Sequence, residues 1–262
     1  MPATPPARRI RVGVQMQPQH NTYADYIAAV RRFEALGVDT LWNWDHFFPL
    51  YGDPQGPHFE GWTLLTAMAA ATERAEIGCL VTCNSYRNPA LLANMAKTVD
   101  HISNGRLIFG LGAGWFERDY TEYGYDFGTP GSRLAALERS LEIITHRWAV
   151  DVPRPVRPIP VLIGGGGEQK TLRIAAKYAT MTHFFGDVPT FQRKLAALDR
   201  WCAEIGRDPA AIERACSPKR GATDAERDDY VAAGVTHFII GMDSWNEEPI
   251  ANLIHWRDAR NR

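Results

Sequence analysis

The chain has 262 residues, close to the roughly 250 typical of one (β/α)8 barrel, and its 45% hydrophobic and 23% charged residues suit a single globular core. A formal net charge of −1 and the lack of any long apolar run exclude a bulk electrostatic footprint for nucleic acid or an anionic membrane, and a bilayer-spanning helix. Four scattered cysteines (Cys79, Cys83, Cys202, Cys216) exclude a disulfide framework, and Cys79 and Cys83 lack the further ligands of a closed zinc site, so no metal is expected.

Residues 1–9, Pro-rich with two arginines and no apolar segment, read as a frayed tail on a cytoplasmic protein, followed by one domain over 10–262. Ile10 to Gln15 reads as a strand, and Tyr23 to Leu36 as an amphipathic helix with Tyr26, Ile27, Val30, Phe33 and Leu36 in one stripe, stopped by Gly37. Alternation then continues: strand 38–44, helix 62–72, strand 75–82, helix 90–102 and strand 106–111. A short helix (116–123) and a long one (132–148), with Leu134, Leu137, Leu141 and Ile144 along one face, precede a strand at 160–163. Helix 168–178, strand 181–185, helix 190–205, a weak strand 212–216, helix 224–233, strand 235–241 and helix 249–257 complete the pattern. Eight strands alternating with helices argue for a closed parallel (β/α)8, or TIM, barrel. A doubly wound open sheet usually has a glycine fingerprint after its first strand, where this chain has Met16-Gln17-Pro18-Gln19.

In a parallel barrel, functional groups collect where strands end. The second strand ends in Asp45-His46 between aromatic neighbours, the fourth in Gly110-Leu111-Gly112-Ala113-Gly114-Trp115, and the fifth in Gly164-Gly165-Gly166-Gly167. Histidine suits proton transfer near neutral pH, but a core histidine on a backbone carbonyl explains one residue pair equally well. The spacing of the 110–114 glycines is wrong for a dinucleotide fingerprint, and they fit either a close ligand approach or a tight turn. Four glycines feeding a helix start favour a phosphate or ring-edge contact, worth on the order of 1 kcal/mol from the dipole. Trp44 and Trp115 are the two of the eight tryptophans placed to line a pocket.

Together, Trp42-Asn43-Trp44-Asp45-His46-Phe47, Ser85-Tyr86-Arg87-Asn88-Pro89-Ala90, Asp100-His101-Ile102-Ser103-Asn104-Gly105-Arg106-Leu107, Gly110 to Phe116, Tyr123-Gly124-Tyr125-Asp126-Phe127 and Ile163 to Gly167 resemble the bacterial-luciferase-like superfamily. The resemblance is strongest to its deazaflavin (coenzyme F420)-dependent oxidoreductases, and covers nearly the whole chain. It implies hydride exchange between the cofactor and a small organic substrate in a cytoplasmic homodimer. By position it implies Asp45 at the deazaflavin head group and His46 as proton donor or acceptor. It also implies a non-proline cis peptide at Cys79-Leu80 behind the ring, and cofactor-tail contacts at Ala113, Gly114 and Gly164, Gly165, Gly166 and Gly167. Two departures stand out. The insertion usual before the fifth strand is reduced to residues 149–159, and Leu50 and Trp115 replace the tryptophan and glutamate of the family's sugar-phosphate dehydrogenases. The competing readings are a reduced-FMN-dependent monooxygenase, a non-catalytic flavin-binding barrel, and a metal-dependent hydrolase that would have to recruit His183 and His237.

Overall fold

The computed structural model describes residues 9–262, in which strand and helix alternate from end to end. The expected tail over 1–9 lies, Arg9 apart, outside the described residues. Strands β1 (Arg11–Met16), β2 (Thr40–Asn43), β3 (Glu76–Cys79), β4 (Thr82–Cys83), β5 (Phe109–Gly112), β6 (Val161–Gly164), β7 (Met181–Phe184), β8 (Glu213–Cys216) and β9 (His237–Met242) form one sheet. Its order is β3-β2-β1-β9-β8-β7-β6-β5-β4, with parallel pairing throughout. A parallel bridge between Ile77 and Leu107 joins its two ends. β3 and β4 are therefore two halves of the third strand of a TIM barrel.

The break between these halves holds the cis peptide Leu80–Val81, one bond later than the Cys79–Leu80 position implied by the resemblance. The reason lies in the ladder. Cys79 pairs with Asn43, and Leu80 N–H still donates to the Asn43 carbonyl at 2.8 Å, so β-pairing runs one residue further before it fails.

Helices α1 (Tyr23–Leu36), α2 (Gly61–Ala71), α3 (Pro89–Ile102), α4 (Glu117–Tyr123), α5 (Pro130–Val150), α6 (Thr171–Tyr178), α7 (Val188–Glu204), α8 (Asp224–Ala232) and α9 (Glu248–Arg260) occupy the connections. α1 has its expected bounds for clear reasons: Thr22 accepts from Asp25 N–H at the start, and Gly37 takes the left-handed φ of 100° at the end. Its stripe of Tyr26, Ile27, Val30 and Phe33 is buried against the sheet. α5 starts earlier than expected because Thr129 and Ser132 form a reciprocal cap ahead of the apolar stripe. α6 starts later, since 168–170 form a turn. Only residues 151–160 join α5 to β6, which keeps this side of the barrel short. Among the described residues no helix is long and apolar enough to cross a membrane.

One apolar layer fills the space between strands and helices, and a smaller one, around Trp42, Leu80, Ile108, Leu162, Met181, Ala215 and Ile239, fills the barrel interior. Two histidines share that interior. His237 hydrogen-bonds Thr40 Oγ1 at 2.8 Å and His183 bonds Ser217 Oγ at 2.9 Å. Burial depresses both, His183 to about 4 from the ordinary 6.5. Between these values the unfolded chain binds a proton that the folded barrel refuses, so stability rises with pH across the window. The urea midpoint is expected to fall as pH is lowered from about 6.5 to about 4. A His183→Gln variant should show a shallower fall; an unchanged slope would remove His183 as its source.

Candidate active site

The C-terminal ends of the strands surround an open cavity of about 600 Å³. It is lined by residues of β1, β4, β5, β6 and β7, by the segments that follow β2, β5, β6 and β7, and by side chains of α5 and α7. Asp45, His46, Leu80, Ala113, Gly114, Gly164, Gly165, Gly166, Gly167, Trp44 and Trp115 all line it. Cys79 does not: it is buried below, with Sγ donating to Asn43 Oδ1 at 2.9 Å. Cys83 turns elsewhere, its Sγ 3.2 Å from Tyr120 Oη, so the two thiols share no ligand geometry.

Asp45 lines the mouth, yet its side chain has no exposed surface. Arg87 grips both oxygens, Nη1 to Oδ2 at 2.7 Å and Nη2 to Oδ1 at 2.9 Å, while Cys83 N–H donates to Oδ2 at 3.0 Å. Arg87 also pairs with Glu60, whose carboxylate caps α2 by accepting from Trp62 N–H and Thr63 N–H. This charge ladder ties the end of β2 to the segment after β4 and to the start of α2.

His46, the next residue, faces another way. Its Nδ1 lies 2.7 Å from Asp119 Oδ2, within hydrogen-bond distance, and the ring meets Trp44, Trp115 and Phe116 edge-on. Asp119 also accepts from Tyr86 Oη at 2.8 Å and from Phe47 N–H at 3.1 Å. Trp44 is locked by donating Nε1 to His58 Nε2 at 2.9 Å. Burial, then the neighbouring His46, lowers His58 to about 4, which keeps that acceptor neutral.

The floor is Leu80 and Val81, and glycines make room for Val81. A Cβ on Gly112 or Gly164 would lie 2.7 or 2.8 Å from its methyl groups. Gly114 combines a left-handed φ of 83° with a Cβ position 1.9 Å from Tyr120 Oη. No side chain caps α6; Leu172 N–H donates to the Gly167 carbonyl at 3.0 Å, and Thr171 at the helix start lines the cavity beside the 164–167 loop. Two cations border this half of the cavity: Lys194 Nζ donates to the Gly166 carbonyl, and Arg133 Nε donates to the Gly114 carbonyl at 3.1 Å. Together, glycine walls, an apolar floor, a helix start without a side-chain cap and two cations fit a flat ring carrying an anionic tail. Tyr51, Trp115 and Phe185, after β2, β5 and β7, also line the cavity and are each more than half exposed.

Val81, Asp119, Tyr86, Arg87, Arg133 and Lys194 were not picked out by sequence reasoning. Tyr86 and Arg87 lie inside the matched 85–90 segment, which was a signal for place and not for role. Because Arg87 is, among the described residues, the only guanidinium on the buried Asp45, Arg87→Met should lower the unfolding free energy by about 3–5 kcal/mol. Adding Asp45→Asn should recover part of that loss. Urea unfolding checks both, and a single variant within about 1 kcal/mol of wild type would contradict the buried-charge account.

Compared with known proteins, the chain matches the family model described as luciferase-like monooxygenase over residues 8–261. Among curated proteins, the F420-dependent glucose-6-phosphate dehydrogenase of Amycolatopsis mediterranei is 30% identical over 189 residues, covering 65% of this chain and 54% of that relative. The chain thus matches little more than half the length of that protein. Among solved structures, an F420-dependent secondary alcohol dehydrogenase in complex with an F420-acetone adduct superimposes with a TM-score of 0.84 at 17% identity, over 95% of this chain and 99% of that one. The F420-dependent tetrahydromethanopterin reductase of Methanopyrus kandleri gives 0.80 at 16% identity, over 97% and 100%. At these identities the solved structures establish likeness of fold.

Proposed function

The chain belongs to the luciferase-like monooxygenase family, and we propose that it is a deazaflavin (coenzyme F420)-dependent oxidoreductase acting on a small organic substrate. The observation that carries the reading is one shared mouth. It holds His46, the Leu80–Val81 floor, the glycine walls and the start of α6 within a single cavity. F420-dependent relatives by sequence, and F420-dependent enzymes of the same fold, support it.

In this reading Leu80, Val81, Ala113, Gly114 and the 164–167 loop would hold the ring. The first turn of α6, with Lys194 and Arg133 as counter-charges, would hold the anionic tail. Bound there, the deazaflavin supplies the hydride acceptor or donor. The protein's residues do the rest. His46 exchanges the proton that accompanies hydride movement, Asp45 and Arg87 hold the strand end that carries it, and Trp44 with Trp115 excludes water around the imidazole. Leu50 and Trp115 line the cavity at the positions where the family's sugar-phosphate dehydrogenases carry a tryptophan and a glutamate, which disfavours a sugar phosphate as substrate.

Fluorescence titration with F420 and with FMN on one preparation tests the cofactor. Saturable binding of F420 at micromolar concentrations or tighter, with weaker FMN, is expected; tighter FMN would favour a reduced-FMN monooxygenase, and no F420 binding would overturn the proposal. His46→Ala should slow turnover by about 100-fold or more while F420 affinity stays within about threefold. Equal loss of both would make His46 a structural residue.

A further inference from the structure

The two buried carboxylates behind the mouth are treated very differently. Asp45 is matched by a guanidinium. Asp119 on α4 is as deeply buried, yet among the described residues no lysine or arginine pairs with it; its ion-pair partner is His46. Three groups converge on it: Tyr86 Oη and Phe47 N–H donate to Oδ2 and Oδ1, and His46 Nδ1 lies 2.7 Å from Oδ2. Burial and the neighbouring Cys83 and Asp119 push the Tyr86 phenol well above its ordinary range, so it remains a donor. Among the described residues no hydrogen bond is made by His46 Nε2, and the residue lines the cavity.

We propose that Asp119 is a positioning residue that holds the proton of neutral His46 on Nδ1 and leaves Nε2 as a bare acceptor facing the cavity. A carboxylate cannot donate, so the nitrogen beside it must. The same unmatched charge stabilises the imidazolium once Nε2 takes a proton, the role a buried carboxylate plays behind catalytic histidines elsewhere. The consequence for chemistry rests on the oxidoreductase reading. For an alcohol substrate, Nε2 would take the O–H proton, the C–H electron pair going as hydride to the acceptor that a bound deazaflavin would supply. Ketone reduction returns the proton from the imidazolium to the carbonyl oxygen. The tautomer itself depends on no cofactor.

Phe47 makes the inference testable, because its N–H requires an acceptor at the Oδ1 position. In Asp119→Asn the amide oxygen must turn toward Phe47, placing the NH2 against His46 Nδ1. The ring then has to accept at Nδ1 and carry its proton on Nε2. Tyr86→Phe removes a donor from Asp119 without changing what His46 meets, and so serves as the control.

The measurement is a proton–nitrogen correlation spectrum of the cofactor-free protein with nitrogen-labelled histidine rings, at a pH where His46 is neutral. His46→Asn assigns the resonance by its loss. Wild type and Tyr86→Phe are expected to show the Nδ1–H form, and Asp119→Asn the Nε2–H form. An Nε2–H ring in wild type, or an unchanged Nδ1–H ring in a folded Asp119→Asn protein, overturns the proposal. If that variant fails to fold, the wild-type and Tyr86→Phe spectra still decide, and an Nε2–H form in either overturns it. Failure of F420 to bind would leave these spectra as they are, so the two claims fail separately.

Discussion

The mouth of this barrel depends on how the charge of Asp45 is held. With no exposed surface, the carboxylate needs compensation, and it has a two-pronged guanidinium and a backbone N–H. That compensation locks the end of β2 to the chain after β4, and through Glu60 to the start of α2. His46 is the next residue, so its ring departs from a fixed point toward α4. Two successive side chains thus clamp the strand end to two different neighbours. Asp45 is matched by the Arg87 guanidinium, whereas the ion-pair partner of Asp119 among the described residues is the His46 imidazole.

Packing below that frame shapes the other half of the site. Val81 projects where the third strand breaks, and Gly112 and Gly164 leave it the volume that a Cβ would occupy. The result is an apolar floor between glycine walls. The substrate side follows from what is short: ten residues, 151–160, join α5 to β6, and Tyr51, Trp115 and Phe185 stand exposed around the mouth. The glycines thus bring backbone close around the floor, while these three aromatic side chains stand open to solvent.

Much of the fold was legible because apolar periodicity and helix punctuation agree with burial. α1 is the clearest case, from the Thr22 cap to Gly37, and strand-end logic gathered nearly all the expected site residues into one cavity. Other features were not legible, for physical reasons. Asp119 sits in Glu117-Arg118-Asp119, which reads as a solvated helical turn; its burial comes from α4 folding against a strand end 73 residues away in sequence. Arg87 belongs to a recognisable segment, but nothing local reveals that it satisfies Asp45. The cis bond was displaced by one residue because the Asn43 carbonyl still captures Leu80 N–H. Cys79, placed by analogy in the cofactor wall, consequently lies beneath the floor with its thiol on Asn43.

The central claim is that one mouth places a deazaflavin ring and His46 side by side. A crystal structure of the protein soaked with F420 tests it most directly. The account predicts the ring over Leu80 and Val81 within hydrogen-bonding reach of His46 Nε2, and the tail at the first turn of α6. A ring bound elsewhere, or one reversed so that the tail lies against Tyr51, Trp115 and Phe185, would contradict it.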